Sequence, residues 1–109
     1  MTAPSSKRTR PIKRPSIPRK HGVAELSTGH ITRDDAKLLE KGAVPGQIGA
    51  YPYGFIVLTG AHEKSTELLA WGMSHAYVDL LRLLHRRKFY YLFLDRDADL
   101  VDGLPAFDW

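Results

Sequence analysis

Apolar residues are scarce over the first twenty positions, where only Ile12 and Ile17 stand out, and then arrive in blocks whose spacing alternates between strand-like and helix-like. Val23 to Thr28 predicts a short strand. Thr32 stands where a helix N-cap belongs, Asp34 and Asp35 follow in the electropositive first turn, and Ala36 and Leu39 share one face with Leu38 beside them. A helix is therefore predicted from about Arg33 to Lys41, ended by Gly42 and the Pro45-Gly46 turn. The run Gly54 to Thr59 is apolar, rich in strand formers and bounded by glycines, which predicts a central strand buried on both faces. Ser65 or Thr66 caps a brief helical turn through Leu68, Leu69 and Trp71. After Gly72, Ser74 opens the clearest amphipathic pattern: Tyr77, Leu80, Leu81 and Leu84 recur at helical spacing while Asp79, Arg82 and Arg86 face away, predicting a helix from about His75 to Arg87. Phe89 to Leu94 predicts a third strand, and five acids among the last fifteen residues mark a polar C-terminal segment.

The order strand, helix, strand, helix, strand predicts a single small α/β domain over residues 21–109, in two or three layers, with about three strands and two helices. The later strands are expected to run parallel through right-handed crossovers, with an α+β arrangement carrying one antiparallel edge as the alternative.

Charge divides the chain differently. Residues 1–20 hold Lys7, Arg8, Arg10, Lys13, Arg14, Arg19 and Lys20 and no acid, whereas residues 21–109 hold nine Lys/Arg against twelve Asp/Glu; +7 and −3 make the formal +4. Pro4, Pro11, Pro15 and Pro18 interrupt any amphipathic transit helix, and so little apolar surface cannot repay the entropy of ordering, so residues 1–20 are expected to be a disordered basic arm. A basic arm on a mildly acidic body points to polyanions or acidic protein surfaces as partners. The absence of cysteine excludes disulfides, thiolate zinc sites and thiol chemistry. No apolar run approaches the roughly 20 residues of a membrane span, so no membrane partner is expected and the location expected is cytoplasmic.

Candidate chemistry collects at strand ends. Parallel strands would gather Ser27, Thr28 and His30, then Thr59, His62 and Glu63, then Asp95, Asp97 and Asp99 on one sheet edge, where open α/β sheets bind ligands. Asp95 and Asp97 are either hard oxygen ligands of a metal-dependent hydrolase or turn residues that cap backbone groups. His30 and His62 could join an aspartate around a metal, and Ser27 could pair with His30; the simpler alternative is that the Ser27 and Thr28 hydroxyls satisfy backbone groups where the strand ends. No second catalytic signature accompanies these residues and no glycine-rich loop has phosphate-cradling spacing, so no catalytic residue, metal ligand or cofactor is assigned. Tyr51, Tyr53, Tyr90 and Tyr91 could stack nucleobases, but their alternation fits strand packing. His85-Arg86-Arg87-Lys88 meets the negative end of its helix, and beside the arm it would form one basic face. Nucleic-acid contact is accordingly assigned to Lys7, Arg8, Arg10, Lys13, Arg14, Arg19, Lys20, Arg86, Arg87 and Lys88.

Ser27-Thr28-Gly29-His30-Ile31 ahead of an acid-led helix, Tyr51-Pro52-Tyr53-Gly54-Phe55, Leu94-Asp95 and the ending Asp102-Gly103-Leu104-Pro105-Ala106-Phe107-Asp108-Trp109 together resemble a family of small uncharacterised bacterial domains common on plasmids, phages and integrated elements. The resemblance covers roughly residues 24–109, and the closing Leu-Pro-x-aromatic-Asp-Trp pattern is its most distinctive part. It implies a mobile-element setting and, as the family has no established activity, little about mechanism. Phe107 and Trp109 are expected to pin the acidic segment to the sheet, the rival role being a partner-docking tail. The function expected is a non-enzymatic accessory protein of a mobile element that touches nucleic acid through its arm. The alternatives are a host-defence inhibitor that offers Asp95 to Asp108 to a basic host protein, and a metal-dependent hydrolase using Asp95 and Asp97.

Overall fold

Three strands share one alternation: Ala24 and Leu26, Phe55 and Val57, and Leu92 and Leu94 are buried, while Glu25, Ile56 and Phe93 between them are not. In the computed structural model, which describes residues 16–17, 19–20 and 22–109, those six side chains fall in register on one face of a five-stranded sheet. The strands are β1 (Arg19–Lys20), β2 (Val23–Ser27), β3 (Gln47–Tyr51), β4 (Gly54–Leu58) and β5 (Tyr91–Asp95), in the spatial order β1-β2-β5-β4-β3. Helices α1 (Arg33–Glu40), α2 (Ser65–Trp71) and α3 (His75–Arg86) bring Leu39, Leu68, Leu81 and Leu84 to the same core. The opposite sheet face, with Val23, Ile56, Tyr91 and Phe93, is left half-buried or exposed. The domain is therefore α/β with two layers.

α1 and α3 start where their caps predict. Thr32 accepts the Asp35 N–H while the Asp35 carboxylate accepts the Thr32 N–H, a reciprocal capping box, and Ser74 accepts the Tyr77 N–H. α2 instead grows directly out of a 3-10 helix over Thr59–Lys64, so neither Ser65 nor Thr66 caps it.

The expectation of parallel later strands is corrected. β2 and β5 are parallel, but β4 runs antiparallel to β5. The chain leaves β4 at Thr59, passes through α2 and α3, and re-enters the sheet at the same end, where the Thr59 N–H donates to the Tyr90 carbonyl at 3.1 Å. Departure and return at one end impose opposite directions. β4 is also not the central strand: β5 holds that place, and the second face of β4 is open at Leu58. β3, which has no apolar pattern of its own, pairs with β4 through a hairpin and carries a register shift between Gln47 and Gly49.

At the N-terminal side Arg19 and Lys20 pair with Ala24 and Val23, and Ile17 packs on the core, so the sheet takes up the last residues of the segment expected as an arm. Lys7, Arg8, Arg10, Lys13 and Arg14 lie outside the described residues. Among the described residues, no helix is long and apolar enough to cross a membrane.

Candidate nucleic-acid interface

Reversal of β4 splits the sheet edge on which Ser27, His30, His62 and Asp95 were expected to meet. Ser27, His30 and Asp95 share one end; Thr59, His62 and Glu63 are carried to the other. At the first end the polar groups serve the backbone. Ser27 Oγ accepts the Gly29 N–H, and Asp95 Oδ1 accepts the Asp97 N–H at 2.9 Å. His30 is buried and uses both ring nitrogens: Nε2 accepts the Val101 N–H at 2.9 Å, which leaves the Nδ1 proton to donate to the Pro105 carbonyl at 2.7 Å. Among the described residues, no group of three or more His, Cys, Asp or Glu is placed to hold a metal ion.

The same end ties Ser27–Ile31 to the C-terminal residues. His30 grips Val101 and Pro105, the Phe107 N–H donates to the Gly29 carbonyl at 2.8 Å, and the Trp109 indole N–H donates to the Ile31 carbonyl at 3.0 Å. Deleting residues 107–109 removes two hydrogen bonds and partly buried aromatic surface, together about 2 kcal/mol. At about 4–8 °C per kcal/mol for a domain of this size, thermal unfolding should show a fall of roughly 10 °C. An unchanged melting temperature would mean that the tail is not a structural clasp.

The other end is basic and aromatic. The Gly22 carbonyl accepts the Tyr90 N–H at 3.0 Å and the Tyr91 N–H at 3.5 Å, which sets the β1–β2 turn beside the start of β5 and the end of α3. Arg86 and Arg87 close α3, where its unpaired carbonyls favour positive charge, and Lys88 turns the chain into β5 in the left-handed region at φ 68°. The Thr59–Lys64 segment packs along α3 and brings the His62 ring to 5.0 Å from that of His85, whose ring meets Tyr90 edge-on at 5.6 Å. Thr59 spends its one hydroxyl proton on the Phe89 carbonyl at 2.6 Å, so its oxygen accepts from His85 Nδ1 at 3.2 Å. Burial, then the neighbouring His85, pull the His62 pKa below its ordinary value; Glu63 opposes them, and Arg82 and Arg86 add to the lowering. Beside these groups lies a cavity of about 380 Å³ lined by Gly46, Leu58, Gly60, Ala61, Lys64, His85 and Tyr90.

Of the residues assigned to nucleic acid from sequence, the structure gathers Arg86, Arg87 and Lys88 at this end, with the Lys20 backbone on the adjoining strand. Lys64 carries no sequence signal, and His62, His85 and Tyr90 show no diagnostic spacing. The packing of the Thr59–Lys64 segment along α3 and the antiparallel return of β5 bring them together. Ser16, by contrast, lies at the far end of the sheet with Glu25, Asp99 and Asp102, so the two ends differ in charge.

Residues 23–109 match the model for the C-terminal domain of a family of unknown function, DUF5983, and the chain belongs to that family. No curated protein and no solved structure matches it.

Proposed function

We propose that this DUF5983 domain is a non-enzymatic accessory protein of a bacterial mobile element that contacts nucleic acid through its basic sheet end and its N-terminal arm. The observation that carries the reading is the convergence of Lys64, Arg86, Arg87 and Lys88 with His62, His85 and Tyr90 around one end of the sheet. Fixed positive charges beside an exposed aromatic ring are what phosphate contact and base stacking require. The mobile-element setting is supported by the resemblance of the Ser27–Ile31 segment and the Leu104 to Trp109 ending to domains found on such elements.

The test is fluorescence anisotropy of a labelled duplex titrated with the full chain between about 50 and 200 mM salt, where each neutralised phosphate contributes roughly 0.9 to the logarithmic salt slope. Two full-length variants separate the contributions: one with Lys7, Arg8, Arg10, Lys13 and Arg14 changed to serine, the other Arg86→Gln with Arg87→Gln. Each should bind more weakly and with a shallower slope. Absence of salt-dependent binding by the unaltered chain would overturn the reading and leave a protein partner as the direction to pursue.

A further inference from the structure

We infer that the cavity between the Thr59–Lys64 segment and the end of α3 receives one unpaired nucleotide of a single strand, with its base against Tyr90 and His85 and its phosphate met by Lys64. This rests on the nucleic-acid reading above and names the part of the strand that the folded domain grips. At about 380 Å³ the cavity lies within the range of small-ligand sites, about 300–1,000 Å³. Its walls divide as a nucleotide divides. Leu58, Ala61, Gly46 and Gly60 offer apolar surface and open space to a flat ring, while Lys64 supplies a positive charge and His85 a ring nitrogen.

Tyr90 supplies the platform. It follows the buried Phe89 yet leaves 48% of its own surface in water, held by backbone bonds to Gly22 and Thr59 and by its edge-on contact with His85. An aromatic ring kept exposed and fixed in orientation is a stacking surface for any base, which makes the site tolerant of sequence. His85 supplies the directed polar group. Because Nδ1 donates to Thr59, whose proton is committed to Phe89, Nε2 carries the lone pair left for a ligand and can accept from an N–H of the base. Among the described residues, none hydrogen-bonds that nitrogen. His62 is pushed towards its neutral form by burial and by the positive groups around it, so the site favours an anion, and a bound phosphate would reverse that push. A base inside a duplex is already stacked and cannot enter, whereas an unpaired one can.

The test uses the full chain. Adenosine 5′-monophosphate, adenosine and inorganic phosphate are titrated separately while the histidine ring resonances are followed by NMR; an unpaired octanucleotide and a duplex are then titrated by anisotropy against Tyr90→Ala, Tyr90→Phe and Lys64→Ala. The mononucleotide should move the His62 and His85 signals saturably and at lower concentration than either of its parts. Tyr90→Ala should weaken octanucleotide binding about fivefold or more, Tyr90→Phe should retain it, Lys64→Ala should weaken it, and duplex binding should not change with Tyr90. Circular dichroism melts confirm that each variant is folded. If the mononucleotide leaves both histidines unmoved, or if Tyr90→Ala binds the octanucleotide as well as the unaltered chain does, the inference is overturned, and persisting salt-dependent duplex binding would show that the broader reading survives. Loss of both kinds of binding in the unaltered chain would overturn the two together.

Discussion

Asp35→Ala is expected to lower the melting temperature by about 15 °C or more, one of the two largest effects of any single substitution in the domain. The carboxylate is fully buried, and it joins the N-termini of two helices. Its Oδ2 accepts the Thr32 N–H at 3.1 Å and the Ser74 hydroxyl at 2.6 Å, and its Oδ1 accepts the Ser74 N–H at 2.8 Å. Thr32 caps α1 and Ser74 caps α3, so a single negative charge sits at the positive ends of both helix dipoles. Ser74 then passes the connection on by accepting the Tyr77 N–H at 3.1 Å. Removing the acceptor leaves three donors without a partner. Hydrogen bonds to a charged group are worth about 1.5–3 kcal/mol each, and breaking a buried charged network costs about 3–5 kcal/mol in all. At about 4–8 °C per kcal/mol the fall in melting temperature follows. Asp35→Asn keeps the volume but cannot accept from all three donors and should fall between the two. The Tyr77 ring is buried beside this carboxylate, and its burial, then the Asp35 charge, push its ionisation upwards, so it stays neutral; among the described residues its hydroxyl has no hydrogen-bond partner. A melting temperature for Asp35→Ala within about 3 °C of the unaltered chain would show that the carboxylate is not the joint between the helices.

Gly54→Ala should be nearly as damaging for a different reason. Gly54 faces Asp95 across the β4–β5 ladder, and a Cβ placed on it would run into the carbonyl oxygen of Leu94. That oxygen belongs to the central strand and cannot swing aside as a side-chain tip would, so the two strands must part. Forced overpacking of this kind costs about 3 kcal/mol. Gly42→Ala is the comparison. Its φ of +79° penalises any side chain, but nothing lies within 4 Å of the added carbon. Only the left-handed backbone penalty applies, about 1 kcal/mol. Denaturant unfolding of the two variants should separate them clearly, and equal losses would show that the approach of β4 to Leu94 is not the constraint.

Gly54 also shows where reading along the chain stops. As a residue it marks the start of an apolar run, and that much is local. That the same glycine admits the backbone of a strand forty residues later depends on β5 lying antiparallel against β4. Asp35 is similar: its place in the first turn of α1 is visible from Thr32, but its grip on Ser74 arises only when α3 packs against that turn. His30 looks like a catalytic or metal-binding histidine after a strand. In the fold it holds the tail through Val101 and Pro105.

What the sequence determined by itself is therefore what short-range contacts decide. Thr32 and Ser74 set the starts of two helices through caps within three residues, the apolar runs at Val23, Phe55 and Leu92 set three strands, and the α/β class follows from their order. The strand Gln47–Tyr51, the direction of β4 relative to β5, and the meeting of Lys64, His62, His85 and Tyr90 were decided only by the tertiary structure. A strand without an apolar face takes its conformation from its neighbour's backbone, and strand direction depends on the end at which the helices return the chain. Such contacts join residues far apart in sequence, so their energies leave no periodic trace along the chain.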